Sequence, residues 1–257
     1  MPDEATGLFG PSSVTWKVDR EAALLLGGGR ALLLQLAHPA VAQGVADHSD
    51  YRRHAFRRLN RTLELSLALV FGTRREAKDA AAQINRRHSS VRGAGYSALD
   101  PELLLWVQST LIDSTITTYE TYVGHLSDQE WEGYYQEAKR VGSLLGIRAR
   151  RFPARLADFQ AYMARSQDRD LEVGPLAREM ARHVLRPLPA RGFWPVEAVT
   201  AGLLPARLRH DYRLPWGVAE RSAFALSKRV LPRLIPILPP LLRYVPPARH
   251  AFRRVAA

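Results

Sequence analysis

Apolar residues in this chain recur three or four positions apart, and no stretch of useful length alternates apolar with polar. A period near 3.6 lays one buried stripe along an α-helix, whereas a half-buried strand needs a period of two. The pattern therefore predicts an all-α fold. No linker, repeat or low-complexity tract divides the sequence, so residues 1–257 read as a single multi-helix domain. With 257 residues, 46% of them hydrophobic, the chain can bury a large core.

Local signals place the helices. Residues 1–18 read as an N-terminal arm, irregular from 11 to 18, with Trp16 available for packing. Asp19 is a cap candidate for a helix over 21–26, interrupted by Gly27-Gly28-Gly29. The triplet has neither the preceding strand nor the spacing of a nucleotide-binding loop. It suits a close helix contact or an edge lying on a flat cofactor. His38-Pro39 marks a bend, because the residue before proline is pushed out of the helical region. Asp47-His48-Ser49 supplies caps for the next helix. Asp100-Pro101-Glu102 and Ser127-Asp-Gln-Glu130 are strong helix starts. Further helices are predicted over 154–165, 175–185, 196–203 and 216–234.

The most unusual stretch lies between Arg58 and Tyr96. In the run 74–91, Ala77, Ala81, Ile84, His88 and Val91 share one stripe, so His88 sits among apolar residues. In the preceding run, 51–71, Arg58, Arg61, Thr62, Leu65 and Leu69 share a face. Buried guanidinium groups need an anion, such as a carboxylate, a phosphate or a porphyrin propionate. A histidine on an apolar face is either a core residue bonded to backbone or a ligand, and spacing alone leaves both open. The helix over 104–122 carries Ser114 and Thr118 on its core stripe beside Asp113. Those hydroxyls could line a channel or bond back to their own helix.

Composition narrows the chemistry. Without cysteine, disulfides, thiolate catalysis, iron–sulfur clusters and thiolate-ligated haem are excluded. The net charge is +12, yet only four of the 37 basic residues are lysine and they cluster around no nucleic-acid motif. Nucleic acid is not an expected partner. The start lacks the basic and apolar regions of a secretory signal, and no run approaches a membrane span, so a cytoplasmic location is expected. The tail, residues 231–257, mixes prolines and arginines with apolar residues. It suits wrapping the core, and a peripheral contact with an anionic membrane is a second use.

Several motifs in order carry a family resemblance: Ala31-Leu-Leu-Leu-Gln35-Leu-Ala-His38-Pro39, Asp47-His48-Ser49, Arg58-Leu-Asn-Arg-Thr62, His88, Tyr96 and Leu99-Asp100-Pro101-Glu102 through Trp106-Val107. In these the chain resembles the family of the latex-clearing rubber oxygenases and the fungal MpaB-type oxygenases, over nearly its whole length. The resemblance implies a globin-like helical core with b-type haem (heme b, iron) between central helices, and an oxidoreductase using dioxygen or peroxide on a small hydrophobic substrate. It puts His88 at the axial ligand and metal position. It puts Arg58 and Thr62 in the element near the haem, with Arg92 a further cofactor-binding candidate. Arg61 stands where the rubber oxygenases have a lysine, and an arginine does not readily deprotonate to ligate iron. No glutamate matches the distal base of those enzymes. Arg58, Arg61, Thr62, His38 and His48 remain the catalytic candidates.

Two other readings stand beside the oxygenase. A non-catalytic haem-binding or sensing protein would need the same ligand and pocket. A carboxylate-bridged iron protein would need Glu-x-x-His pairs, and the sequence contains none.

Overall fold

The computed structural model describes residues 6–49, 51–185 and 194–256, and of residues 51–59 the backbone alone. Among these residues the fold is all-α, and the strands amount to one two-residue ladder. The first helix among the described residues is α1 (Val14–Asp19), where the sequence reading expected an irregular arm. Ser13 caps it, its Oγ accepting from Trp16 N, while Asp19, the expected cap for 21–26, is its last residue, and the next element starts at Glu21 with no side-chain cap. Trp16 and Val18 are fully buried, and burial of that much aromatic surface holds so short a helix in place.

A 3-10 turn over Ala22–Gly27 leads into α2 (Gly28–Leu36), and α3 (Pro39–His48) follows across a sharp bend at His38. The glycine triplet serves close packing. A Cβ at Gly27 would lie 2.2 Å from Thr118 Oγ1, and one at Gly29 would lie 2.3 Å from Thr200 Oγ1. Next come α4 (Tyr51–Phe71) and α5 (Arg74–Ser90), which fold against each other across Gly72-Thr73. Thr73 and Glu76 form a capping box that starts α5. After α5, Arg92-Gly93 (β1) pairs antiparallel with Tyr96-Ser97 (β2) around Gly95, whose φ of +80° only glycine adopts freely.

The long central helix α6 (Pro101–Tyr122) starts at the predicted Asp100 cap, and α7 (Asp128–Leu144) at the predicted Ser127–Glu130 capping box. Then follow α8 (Leu156–Arg169), α9 (Pro175–Leu185), α10 (Trp194–Leu203), α11 (Ala206–Asp211), α12 (Val218–Leu234), α13 (Pro240–Arg243) and α14 (Pro246–Ala256). The largest core gathers Leu33, Leu34, Trp106, Ile112, Tyr135 and Phe159 around α2 and α6.

A second core joins the two ends of the described chain. The Trp16 ring meets Phe71 tilted at 5.6 Å and Phe252 edge to face at 5.0 Å, and its Nε1 donates to Val70 O. Glu21, 1% exposed, accepts three hydrogen bonds from the Arg243 guanidinium, while Val245 N donates to Arg20 O. The tail therefore wraps the core through residues 243–252. Among the described residues no single helix is long and apolar enough to cross a membrane. The apolar pair 22–36 and 39–48 is bent by 103°, and its Leu33, Leu34 and Leu36 are buried in the core while Leu25 is exposed.

Candidate functional site

His88 lies near the C-terminal end of α5, on the stripe the sequence predicts. Ala77, Ala80 and Ala81 are buried on that stripe, and Ile84, His88 and Val91 continue it half-buried. Asn85 fixes the last turns by donating to Leu144 O at the end of α7, 2.9 Å away. The His88 Nδ1 is buried and has no hydrogen-bond partner. Buried polar atoms are normally satisfied, so such an atom asks for an explanation. Desolvation pushes the His88 pKa below its ordinary value, which keeps the imidazole neutral near pH 7. A neutral imidazole with an unused nitrogen is the form that ligates a metal.

The segment after α5 is held by α3. Tyr96 donates its hydroxyl to Asp47 Oδ2 at 2.7 Å, and His48 Nε2 lies 3.1 Å from Arg92 O. The His48 and Tyr96 rings meet edge to face at 6.2 Å. Gly44 lets the hairpin approach, because a Cβ there would touch the Tyr96 ring at 3.3 Å. Two of the sequence candidates, His48 and Arg92, are thus brought together through the Arg92 main chain. Both side chains are exposed.

His38 stands at the bend, in extended conformation at the start of α3, and makes no capping hydrogen bond. Its Nδ1 is buried without a partner, like that of His88. Burial lowers its pKa, while the charges of Asp170 and Asp100 pull the other way. The helix that ends before it runs antiparallel to α6: Arg30 donates to Ser114 Oγ, and Gln35 to Thr110 Oγ1. That register continues toward Trp106, whose Nε1 is also buried and unpartnered.

On α4 the outcome is different. The Arg58 side chain lies outside the described residues. Arg61 and Thr62 are exposed, so the stripe with Leu65 and Leu69 is not buried along its whole length. Burial on α4 is concentrated at Leu69, Val70 and Phe71, where α1 and α14 pack, and it fades toward Asn60. The buried guanidinium belongs instead to Arg30. Its Nη2 pairs with Asp113 Oδ2 at 2.7 Å, its Nη1 donates to Ser114 Oγ, and its Nε donates to Leu203 O. The sequence reading missed this pair, although an arginine inside the apolar run 24–36 was a visible signal. On α6, Thr117, Thr118 and Thr121 donate to the carbonyls of Asp113, Ser114 and Thr117, which settles those hydroxyls as self-satisfied.

The family model described as ER-bound oxygenase mpaB/B′/rubber oxygenase, catalytic domain, matches residues 16–233. A protein of Mycobacterium tuberculosis, described as uncharacterized, is 30% identical over 227 aligned residues, covering 80% of this chain and 87% of its own length. A Mycobacterium bovis protein with the same description matches to the same extent. No solved structure matches the chain.

Proposed function

The chain belongs to the family of the mpaB and rubber oxygenase catalytic domains, and from that premise we propose that it is a haem b-dependent oxygenase acting on a small hydrophobic molecule, with His88 as the axial ligand. The observation that carries this reading is the buried, unpartnered Nδ1 on a half-buried, neutral imidazole at the end of α5. Among the described residues no three His, Asp or Glu side chains converge as a metal-holding group. An iron held at His88 would therefore bring its remaining ligands with it, as a porphyrin does.

Haem b, when bound, supplies the redox-active iron at which dioxygen or peroxide is activated. The protein's part is to hold and orient. His88 stays neutral because burial disfavours its cation, so its lone pair is available across the physiological range. Arg61 and Arg92, exposed on α4 and just after α5, carry positive charge suited to the propionates, with the Thr62 hydroxyl beside Arg61 on α4; the family resemblance adds Arg58 to this set. The Arg61 guanidinium has donors only, so it offers hydrogen bonds and charge rather than a ligand. His38, half-buried with an unpartnered Nδ1, is suited to hold or pass a proton there.

The test is the absorption spectrum of the purified protein, oxidised and dithionite-reduced, with and without carbon monoxide. A Soret band that shifts with carbon monoxide and disappears in His88→Ala supports the reading. A spectrum unchanged in His88→Ala removes the ligand assignment. A six-coordinate iron indifferent to carbon monoxide, dioxygen and peroxide favours the non-catalytic haem protein.

A further inference from the structure

The segment from Arg221 to the tail has a composition unlike the rest of the chain. Residues 221–257 contain eight arginine and lysine residues and no aspartate or glutamate. The structure sorts this segment into two sides. The inner side of α12 packs on α10, where Phe224 fills the space above Gly202, and Ile235 is buried beyond it. The outer side carries Leu226, Arg229 and Arg233, which step by three and four along the exposed face. Arg229, Val230, Arg233 and Leu234 line a shallow depression there.

Directly after α12 the chain presents Ile237-Leu238-Pro239-Pro240-Leu241-Leu242, every residue of it exposed. Ile237 is 76% exposed, Leu241 67% and Leu242 63%. A contiguous apolar projection of this kind is uncommon on a protein surface and marks an interaction site. We propose that this face docks on an anionic membrane surface, the Ile237–Leu242 projection entering the interfacial region while Arg229 and Arg233 meet lipid phosphates.

Charge decides between the occupants. A second copy would bring the same acid-free basic surface against itself, on chains that each carry +12. An anionic bilayer instead attracts each basic residue that lies near its surface. The geometry fits interfacial seating, since the projection is a short proline-bounded turn with α13 only four residues long. Two guanidinium groups at the rim of an apolar step match a phosphate standing above acyl chains. The proposal does not depend on haem.

Co-sedimentation with vesicles tests it, using phosphatidylcholine alone and phosphatidylcholine with roughly a quarter phosphatidylglycerol. The expected result is binding to the anionic vesicles only, falling with added salt. Leu241→Ser/Leu242→Ser should weaken that binding about tenfold through lost apolar insertion, and Arg229→Ala/Arg233→Ala should weaken it as well. These side chains are exposed, so both variants should keep the wild-type circular dichroism and thermal midpoint. Absence of binding to the anionic vesicles overturns the proposal. So does full binding by Leu241→Ser/Leu242→Ser, which would mean adsorption by charge alone. A concentration-dependent dimer abolished by that same variant would give the face to a second copy and also overturn it.

Discussion

Arg30 and Asp113 pair at 2.7 Å between α2 and α6, and the Arg30 side chain is only 6% exposed. The same guanidinium reaches the end of α10 through Leu203 O, so three helices share one buried cation. Removing the carboxylate leaves that charge with neutral acceptors alone. Asp113→Ala is expected to cost about 3 kcal/mol, and Asp113→Asn, which keeps an acceptor, about 1–2 kcal/mol. Urea unfolding of both variants checks the order. Equal stability of wild type and Asp113→Ala would show that the pair is not what holds Arg30.

Gly29 lies against Thr200 so closely that alanine cannot fit without movement. In an ordinary helix, alanine would gain about 1 kcal/mol over glycine. Here Gly29→Ala is expected to lose about 1–3 kcal/mol from overpacking. In a Thr200→Ala background the closest contacts, Oγ1 and Cγ2, are gone and the remaining Cβ is 3.2 Å away. The double-mutant cycle should therefore show favourable coupling of about 1 kcal/mol or more.

Asp19 titrates far from its usual range. Burial, opposed by the hydrogen bond from Tyr134 and reinforced by Glu137, raises its pKa to about 7 from 3.8. Between those values the folded state binds the proton and the unfolded state does not. Stability therefore falls as pH rises from 3.8 to about 7 and levels off above. Asp19→Asn keeps an acceptor for the Tyr134 hydroxyl and removes the titration. Its stability relative to wild type should rise across that window, as read from unfolding midpoints at a series of pH values. Parallel profiles would remove Asp19 from the pH response.

His88 gives the opposite sign. Its folded pKa lies below 6.5 through desolvation, so the unfolded chain binds the proton first and stability falls as pH drops below that value. The neutral ligand form persists to lower pH than for a free imidazole. Hemin titrations should accordingly give affinity that still holds at about pH 6.5, where a free imidazole is half protonated, and that weakens only at lower pH. His88→Gln should show neither the uptake nor this share of the acid destabilisation.

The local parts of the architecture were legible in the sequence, because each is written within a few residues. The Asp100 cap, the Ser127–Glu130 capping box and the stripe carrying His88 need no knowledge of the rest of the fold. What lies opposite a stripe is a different matter. Arg61 shares a helical face with Leu65 and Leu69, yet it is exposed, while the burial contributed by α1 and α14 falls at Val70 and Phe71. Arg30 and Asp113 are more than eighty positions apart, and nothing in either neighbourhood names the other. The same holds for His88: its place on an apolar face is local, whereas its lack of a partner depends on everything that packs around α5.

The bonds between Glu21 and Arg243 span 222 positions. At translation rates of roughly 5–20 residues per second, the segment around Trp16 and Glu21 waits roughly 10–45 seconds for its partners to be made. Throughout that interval the Trp16 and Phe71 rings lack Phe252, and the Glu21 carboxylate lacks its cation. Closure of this second core is thus a late event in the life of each nascent chain, and the interval before it is when a chaperone that shields apolar surface has most to hold.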